Sequence, residues 1–129
     1  MILLLDTHAV LWFWRDDPQL SGHAKALIQD PANDILVSRA VPWEVAIKVS
    51  TKKLDILGPY PGFFRQNMSR SRLLYLETRD EHLDVVADLP FHHKDPFDRL
   101  MIAQAIMESI PIISIDTQFD AYGVIRIWN

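Results

Sequence analysis

Two acidic residues directly follow apolar runs of the chain, a position from which side chains can do chemistry. Asp6 comes after residues 2–5, and Asp116 comes after residues 112–115. Short apolar runs that end at a polar residue are typical of buried parallel strands, and ligands bind beyond the carboxyl ends of such strands. A turn or a helix cap is the commoner role of a single aspartate after a strand. The two acids therefore indicate a site only together with others.

Two further acids share a local pattern. Residues 42–44 read Pro-Trp-Glu and residues 96–98 read Pro-Phe-Asp. If each proline takes the first position of a helix, Glu44 and Asp98 both lie at the third, where the helix dipole favours an acid. We expect the proline to set the helix entry, the aromatic residue to anchor it and the acid to face the mouth of the sheet. Pairing of Glu44 with Lys48 at i,i+4 is the ordinary explanation of that acid, but it does not explain why the pattern occurs twice.

Four carboxylates on one rim repel each other unless cations neutralise them. Hard divalent ions take oxygen ligands, and such a site can activate water and stabilise charge on a phosphodiester. No softer site is predicted, because the chain has no cysteine and its five histidines lack the spacing of a zinc site. The adjacent pair His92 and His93 is expected to belong to an ordinary loop, since neighbouring residues rarely reach one metal ion together.

The stretch KDPFDRLMIAQA, residues 94–105, contains two aspartates that need separate explanations. Asp95 suits the N-cap of a helix, and Pro96 suits its first position. Arg99 could pair with either Asp95 or Asp98. Capping accounts for Asp95 and the helix dipole accounts for Asp98, so this stretch alone assigns neither acid to a site.

The elements that must position these acids alternate between strands and helices, which favours an α/β sandwich with a mostly parallel central sheet. Strands are predicted at residues 2–5, 35–37, 73–76, 112–115 and 124–128. Helices are predicted at residues 7–14, 21–29, 42–53, 63–70, 80–87 and 96–108. Because no repeat or linker divides the 129 residues, we expect a single domain, 1–129.

The formal net charge of −4 is unlike that of a nucleic-acid coat protein, although carboxylates that hold metal ions count as negative until the metal binds. Basic residues cluster around residues 48–53 and 65–72, where solvated helix faces are the ordinary explanation. Lys48, Lys52 and Arg72 are the candidates for contacts with phosphate. The apolar start predicts neither a membrane span nor a signal peptide, because Asp6 interrupts it and no basic segment precedes it. With no cysteine in the chain, a cytoplasmic protein is expected.

Four stretches together resemble the PIN-domain ribonucleases, and within them the VapC-type toxins of bacterial toxin–antitoxin pairs. They are LLLDTHAVLW, WEVAIKVSTKKL, LPFHHKDPFDRLMIAQA and IISIDTQFDAYGV, in the order that the family has. The resemblance covers essentially the whole chain. It implies a compact PIN-like α/β/α sandwich and an endoribonuclease that depends on Mg²⁺ or Mn²⁺, in which a metal-activated water hydrolyses the phosphodiester. It also implies a homodimer and an antitoxin protein whose peptide occupies the groove over the acids.

The resemblance also implies roles for individual residues. The implied catalytic and metal-binding acids are Asp6, Glu44, Asp98 and Asp116. Thr7 and Ser114 match positions where the family often has small hydroxyl residues, so they are expected to support the acids from behind. Pro42 departs from the family, since such toxins more often have a small or polar residue there. If the first turn of the helix did not tolerate this proline, Glu44 would be displaced from the other acids.

Three other functions are compatible with parts of the sequence. A phospho-receiver domain also has an acid after its first strand, but it needs an aspartate after a middle strand and a late lysine, and no lysine follows Lys94. A non-catalytic RNA- or protein-binding module on the same fold predicts a broken set of acids, whereas all four are present. A PIN nuclease of RNA processing that is not a toxin has the same motifs, and the gene neighbourhood would distinguish it.

Overall fold

The computed structural model describes residues 1–129, which form five strands, six α-helices and one 3-10 helix. The strands are β1 (Ile2–Leu5), β2 (Asp34–Ser38), β3 (Leu74–Leu76), β4 (Ile112–Ile113) and β5 (Arg126–Ile127). The α-helices are α1 (Thr7–Arg15), α2 (Gly22–Gln29), α3 (Ala40–Ser50), α4 (Phe63–Arg70), α5 (Asp80–Asp88) and α6 (Pro96–Glu108), and the 3-10 helix is Thr117–Tyr122. None of the helices has both the length and the apolar character needed to span a membrane.

The strands form one sheet in the order β3-β2-β1-β4-β5, and every neighbouring pair is parallel. The predicted α/β fold with a mostly parallel central sheet is thus confirmed, and the sheet is parallel throughout. All carboxyl ends therefore lie at one edge, with β1 in the middle. The chain moves outward from β1 in one direction through β2 and β3 and in the other through β4 and β5. Such a reversal of strand order opens a crevice where α/β proteins place ligands.

The core explains why the central strands are apolar without interruption. Leu3, Leu4 and Leu5 of β1 are fully buried, as are Ile112 and Ile113 of β4. A parallel strand covered by helices on both faces has no solvent side, so it shows no alternation of polar and apolar residues.

The structure corrects three of the predicted boundaries. Helix α3 begins at Ala40 and ends at Ser50, whereas the pattern predicted 42–53. The backbone N–H of Ala40 donates to Ser38 Oγ, so the helix follows β2 almost directly. Pro42 is accepted at the third position because the first turn of a helix needs no N–H donor there. The last two strands are also shorter than the predicted 112–115 and 124–128.

Candidate functional site

Asp6 lies at the centre of the carboxyl edge of the sheet, directly after β1. It is only 5% exposed, and it caps α1, since its Oδ1 accepts the backbone N–H of Ala9 at 2.9 Å. Its Oδ2 accepts a hydrogen bond from Ser114 Oγ at 2.5 Å. Burial raises the pKa of Asp6, while the hydrogen bonds from Ser114 and Ala9 lower it; the net direction is upward. The carboxylate is held in a fixed position on both oxygens.

Glu44 points from α3 toward the same place and is 3% exposed. Its Oε1 accepts a hydrogen bond from Thr7 Oγ1 at 2.6 Å, and its Oε2 pairs with Lys48 Nζ. Burial lowers the pKa of Lys48, but the hydrogen bond from Lys48 to Glu44 and the charge of Glu44 outweigh this and raise it. Thr7 and Ser114 thus each bind one of the acids, in the positions expected for supporting hydroxyl groups.

Asp98 is the third residue of α6, where the sequence placed it. The N-cap prediction for Asp95 is confirmed, because its Oδ1 accepts the backbone N–H groups of Phe97 and Asp98 at 2.9 and 3.0 Å. Burial raises the pKa of Asp98 to about 8, and the charges of its acidic neighbours act in the same direction. Those neighbours are Asp95, Glu44, Asp6 and Asp116. The structure therefore brings all four predicted acids into mutual electrostatic contact.

Asp116 joins the group from the other side of β1. It caps the 3-10 helix by accepting the backbone N–H of Gln118 at 2.9 Å. Its own backbone N–H donates to Ser114 Oγ at 3.0 Å. A single hydroxyl group, that of Ser114, therefore connects the acids that follow β1 and β4.

His93 is the residue that sequence reasoning missed. It does lie in the loop before α6, but its Nε2 is 3.0 Å from Asp98 Oδ2 and 3.2 Å from Asp116 Oδ2. Its Nδ1 accepts the backbone N–H of Asp95 at 3.2 Å. A neutral imidazole that accepts at Nδ1 carries its proton on Nε2, so the ring presents a donor to both acids. The sequence contained one indication of this placement. His93 lies two residues before Asp95, the N-cap of α6, and is therefore close to the first turn of that helix.

The donor set fits a hard divalent cation. Ligand atoms of His93, Asp98 and Asp116 lie within 4.8 Å of one another, and the carboxylates of Asp6 and Glu44 are buried beside them. Carboxylate-rich sets of this kind suit Mg²⁺ and Mn²⁺. The raised pKa of Asp98 is what uncompensated negative charge produces in such a cluster.

The predicted phosphate contacts are not brought together. Lys48 reaches the site but pairs with Glu44. Lys52 lies in the turn beyond α3, roughly two helical turns past Glu44. Arg72 donates to the carbonyl of Gln29 and borders a cavity of about 610 Å³ at the amino ends of β2 and β3. That cavity is at the opposite edge of the sheet from the acids.

Arg99 and Trp43 also differ from expectation. Arg99 pairs with neither aspartate; its guanidinium is buried and donates to backbone carbonyls of the preceding loop. Trp43 does not anchor its helix, since it is 65% exposed. Its ring meets that of Phe97 edge to face, with centroids 5.2 Å apart. The two proline–aromatic–acid patterns thus touch in space through their aromatic residues.

Comparison with known families and structures gives a consistent result. The family model described as "PIN domain" matches residues 3–125. Curated protein sequences contain no significant match.

Among solved structures, the chain is similar to VapBC2 from Rickettsia felis bound to a DNA fragment from their promoter. That likeness has a TM-score of 0.69 and 20% identity over 100% of both chains. FitAcB from Neisseria gonorrhoeae gives a TM-score of 0.62 and 18% identity over 98% of this chain and 96% of that one. A toxin–antitoxin complex from Klebsiella pneumoniae gives 0.57 and 20% over 92% and 90%. At such identities the likeness establishes the fold.

Proposed function

Because the chain belongs to the PIN-domain family, we propose that it is a metal-dependent endoribonuclease and the toxin of a toxin–antitoxin pair. PIN domains are generally nucleases. The observation that carries the proposal is the convergence of Asp6, Glu44, Asp98 and Asp116, which leaves Asp98 with a pKa of about 8. A protein gains nothing in stability from such a cluster without a cation. Clusters of this kind are typical of functional sites.

The proposed ligands of Mg²⁺ or Mn²⁺ are the four carboxylates. A divalent cation held there would supply positive charge and Lewis acidity for the hydrolysis of an RNA phosphodiester. Ser114 keeps the Asp6 carboxylate in place, Thr7 does the same for Glu44, and the cap of α6 directs Asp98 into the site. Lys48 lies at the same mouth and provides a cation for phosphate once Glu44 is engaged elsewhere. Arg72 lies at the opposite edge of the sheet from the acids, whereas Lys52, roughly two helical turns past Glu44, stays a proposed contact for a phosphate further along the RNA.

The test is RNA cleavage by purified protein with Mg²⁺, Mn²⁺ or EDTA. We expect metal-dependent cleavage that disappears in Asp6→Asn and Asp98→Asn while the fold persists. Asp95→Asn should remain active, because asparagine caps a helix nearly as well as aspartate. Equal cleavage by wild type and Asp98→Asn would identify a contaminating ribonuclease. Binding of RNA without cleavage by either protein would favour a non-catalytic module.

The toxin role rests on the similar structures, which are toxin–antitoxin assemblies. We propose that a partner antitoxin places a peptide in the groove over the acids, and that the chain forms a homodimer. Co-expression with the product of a short neighbouring gene should abolish RNA cleavage and yield a stable complex. Cleavage that proceeds unchanged beside every neighbouring gene product would favour an RNA-processing nuclease.

A further inference from the structure

The exposed aromatic pair at the mouth of the site has no function in the account above. Trp43 directly precedes Glu44 and Phe97 directly precedes Asp98. The rings are inclined at 84° with their centroids 5.2 Å apart. Trp43 leaves about two thirds of its surface in solvent. A large aromatic side chain with this much exposed surface, directly beside a cluster of acids, is available for contact with a ligand.

The edge-to-face arrangement determines what the pair can offer to a ligand. Contact with Phe97 limits the orientations available to the Trp43 ring, while its exposure leaves surface free for a second contact. Phe97 is half-buried at the start of α6, so it fixes the ring relative to the acids. The aromatic contact therefore joins the N-terminal ends of the two helices that carry Glu44 and Asp98.

We infer that Trp43, supported by Phe97, stacks against an unpaired nucleobase next to the phosphodiester on which the acids act. The inference rests on the proposed ribonuclease function. Single-stranded RNA presents flat apolar faces along a charged backbone, and exposed aromatic side chains are its common binding platform. The acids and Lys48 address the phosphate, and the aromatic pair addresses the base.

A second copy of the chain is a further candidate for covering Trp43, beside the antitoxin peptide proposed to lie over the acids in the inhibited complex. The exposed apolar residues around it are few: Ile47 lies one turn further along α3, and Phe97 is half-buried. A stable protein interface uses about 20–30 residues on each side. A patch of this size placed directly beside two candidate metal ligands fits a nucleobase better than a protein surface.

The experiment compares binding of two fluorescein-labelled oligomers, an unstructured oligouridylate and a ribose-phosphate oligomer of equal length without bases. Both carry the same phosphates, so the ratio of their affinities measures the contribution of the bases. The proteins carry Asp98→Asn, so that the RNA is bound without cleavage. In that background Trp43→Leu removes the aromatic face, Trp43→Phe keeps one, and Leu83→Ala alters an exposed apolar residue on α5.

We expect about a tenfold preference for the oligomer with bases, retained in Trp43→Phe and Leu83→Ala and lost in Trp43→Leu. In the active protein, Trp43→Leu should raise KM for RNA cleavage with kcat little changed.

A preference that survives in Trp43→Leu, while wild type cleaves RNA, would overturn the inference and leave the proposed function intact. Absence of both cleavage and RNA binding in wild type would remove the proposed function, and the inference with it. A dimer that dissociates in Trp43→Leu would assign the patch to self-association instead.

Discussion

Asp98 has a strongly raised pKa, which its burial and its acidic neighbours explain. Burial and four nearby carboxylates raise its pKa from 3.8 to about 8. The unfolded chain releases this proton near pH 4, whereas the folded chain keeps it until about pH 8. The folded state therefore loses stability as pH rises through that window, and the loss is complete above it. Without metal, the site costs the protein stability at neutral pH.

Replacing Asp98 by asparagine should accordingly stabilise the metal-free protein at high pH. In EDTA at about pH 8.5 we expect Asp98→Asn to exceed wild type by more than about 1.4 kcal/mol, the equivalent of one pKa unit. The difference should shrink toward zero as pH approaches 4. Urea unfolding at several pH values measures it, with Asp34→Asn as the control, because that exposed acid lies at the opposite edge of the sheet. A difference that does not change with pH would show that Asp98 ionises normally.

His93 makes a second prediction, since its Nε2–H faces Asp98 and Asp116. Removing this donor takes one polar contact from each of the two carboxylates, so His93→Ala should lower the melting temperature in EDTA by several degrees, on the order expected for about 1 kcal/mol. His92→Ala is the matched control, because that residue is exposed and its ring meets Tyr122 edge to face, away from hydrogen bonds to the acids. Equal melting temperatures for the two variants would mean that His93 has no effect on the acids.

At the scale of elements, the loop between α5 and α6 is organised by Arg99. Its guanidinium donates to the carbonyls of Val86, Leu89, Pro90 and His93 at 2.9–3.3 Å. The Phe91 ring lies against it, with its centroid 4.0 Å from Cζ. Arg99 was a predicted partner of an aspartate, but it instead fixes the loop that contains His93.

Lysine cannot reproduce this arrangement, because it lacks the planar fork of donors. We expect Arg99→Lys to lower the free energy of unfolding by about 2 kcal/mol and to speed amide hydrogen exchange in residues 89–94. Arg39→Lys provides the comparison, since Arg39 pairs with Glu77 at the surface and such pairs contribute less than about 1 kcal/mol. Similar losses in both variants would contradict an organising role for Arg99.

The elements also show what the sequence could predict. Helix α6 was predicted well because its cap, first-turn proline and apolar run are all local signals. The start of α3 was predicted two residues late, since it depends on how closely the helix follows β2 and not on Pro42 itself. The geometry of His93 depends on the meeting of a loop, α6 and the end of β4. No local pattern in one sequence encodes such a meeting, and the same reason explains the exposure of Trp43.

At the scale of the whole molecule, the four acids connect segments that are far apart in the chain. Asp6 follows β1, Glu44 lies in α3, Asp98 begins α6 and Asp116 follows β4. Their convergence was predictable, because parallel strands place their carboxyl ends at one edge. A cation bound there joins these elements in the folded state only. Metal binding should therefore stabilise the entire fold and not merely the site.

Thermal unfolding tests this coupling. A metal at about 100 times its dissociation constant adds about 2.7 kcal/mol, so Mn²⁺ should raise the melting temperature of wild type by on the order of 10 °C. Asp6→Asn and Asp98→Asn should lose most of the shift. Asp34→Asn should keep it, because that exposed acid lies at the opposite edge of the sheet.

The pH dependence of the shift identifies the groups involved. Protons compete with the metal for Asp98, whose pKa is about 8, so Mn²⁺ affinity should increase as pH rises toward 8 and then level off. Affinity that levels off near pH 5 would match ordinary surface carboxylates and would place the metal elsewhere. A shift of equal size in wild type and Asp98→Asn would lead to the same conclusion. The metal is expected to bind at the four acids, because a cation there removes the repulsion between carboxylates that the metal-free folded protein retains.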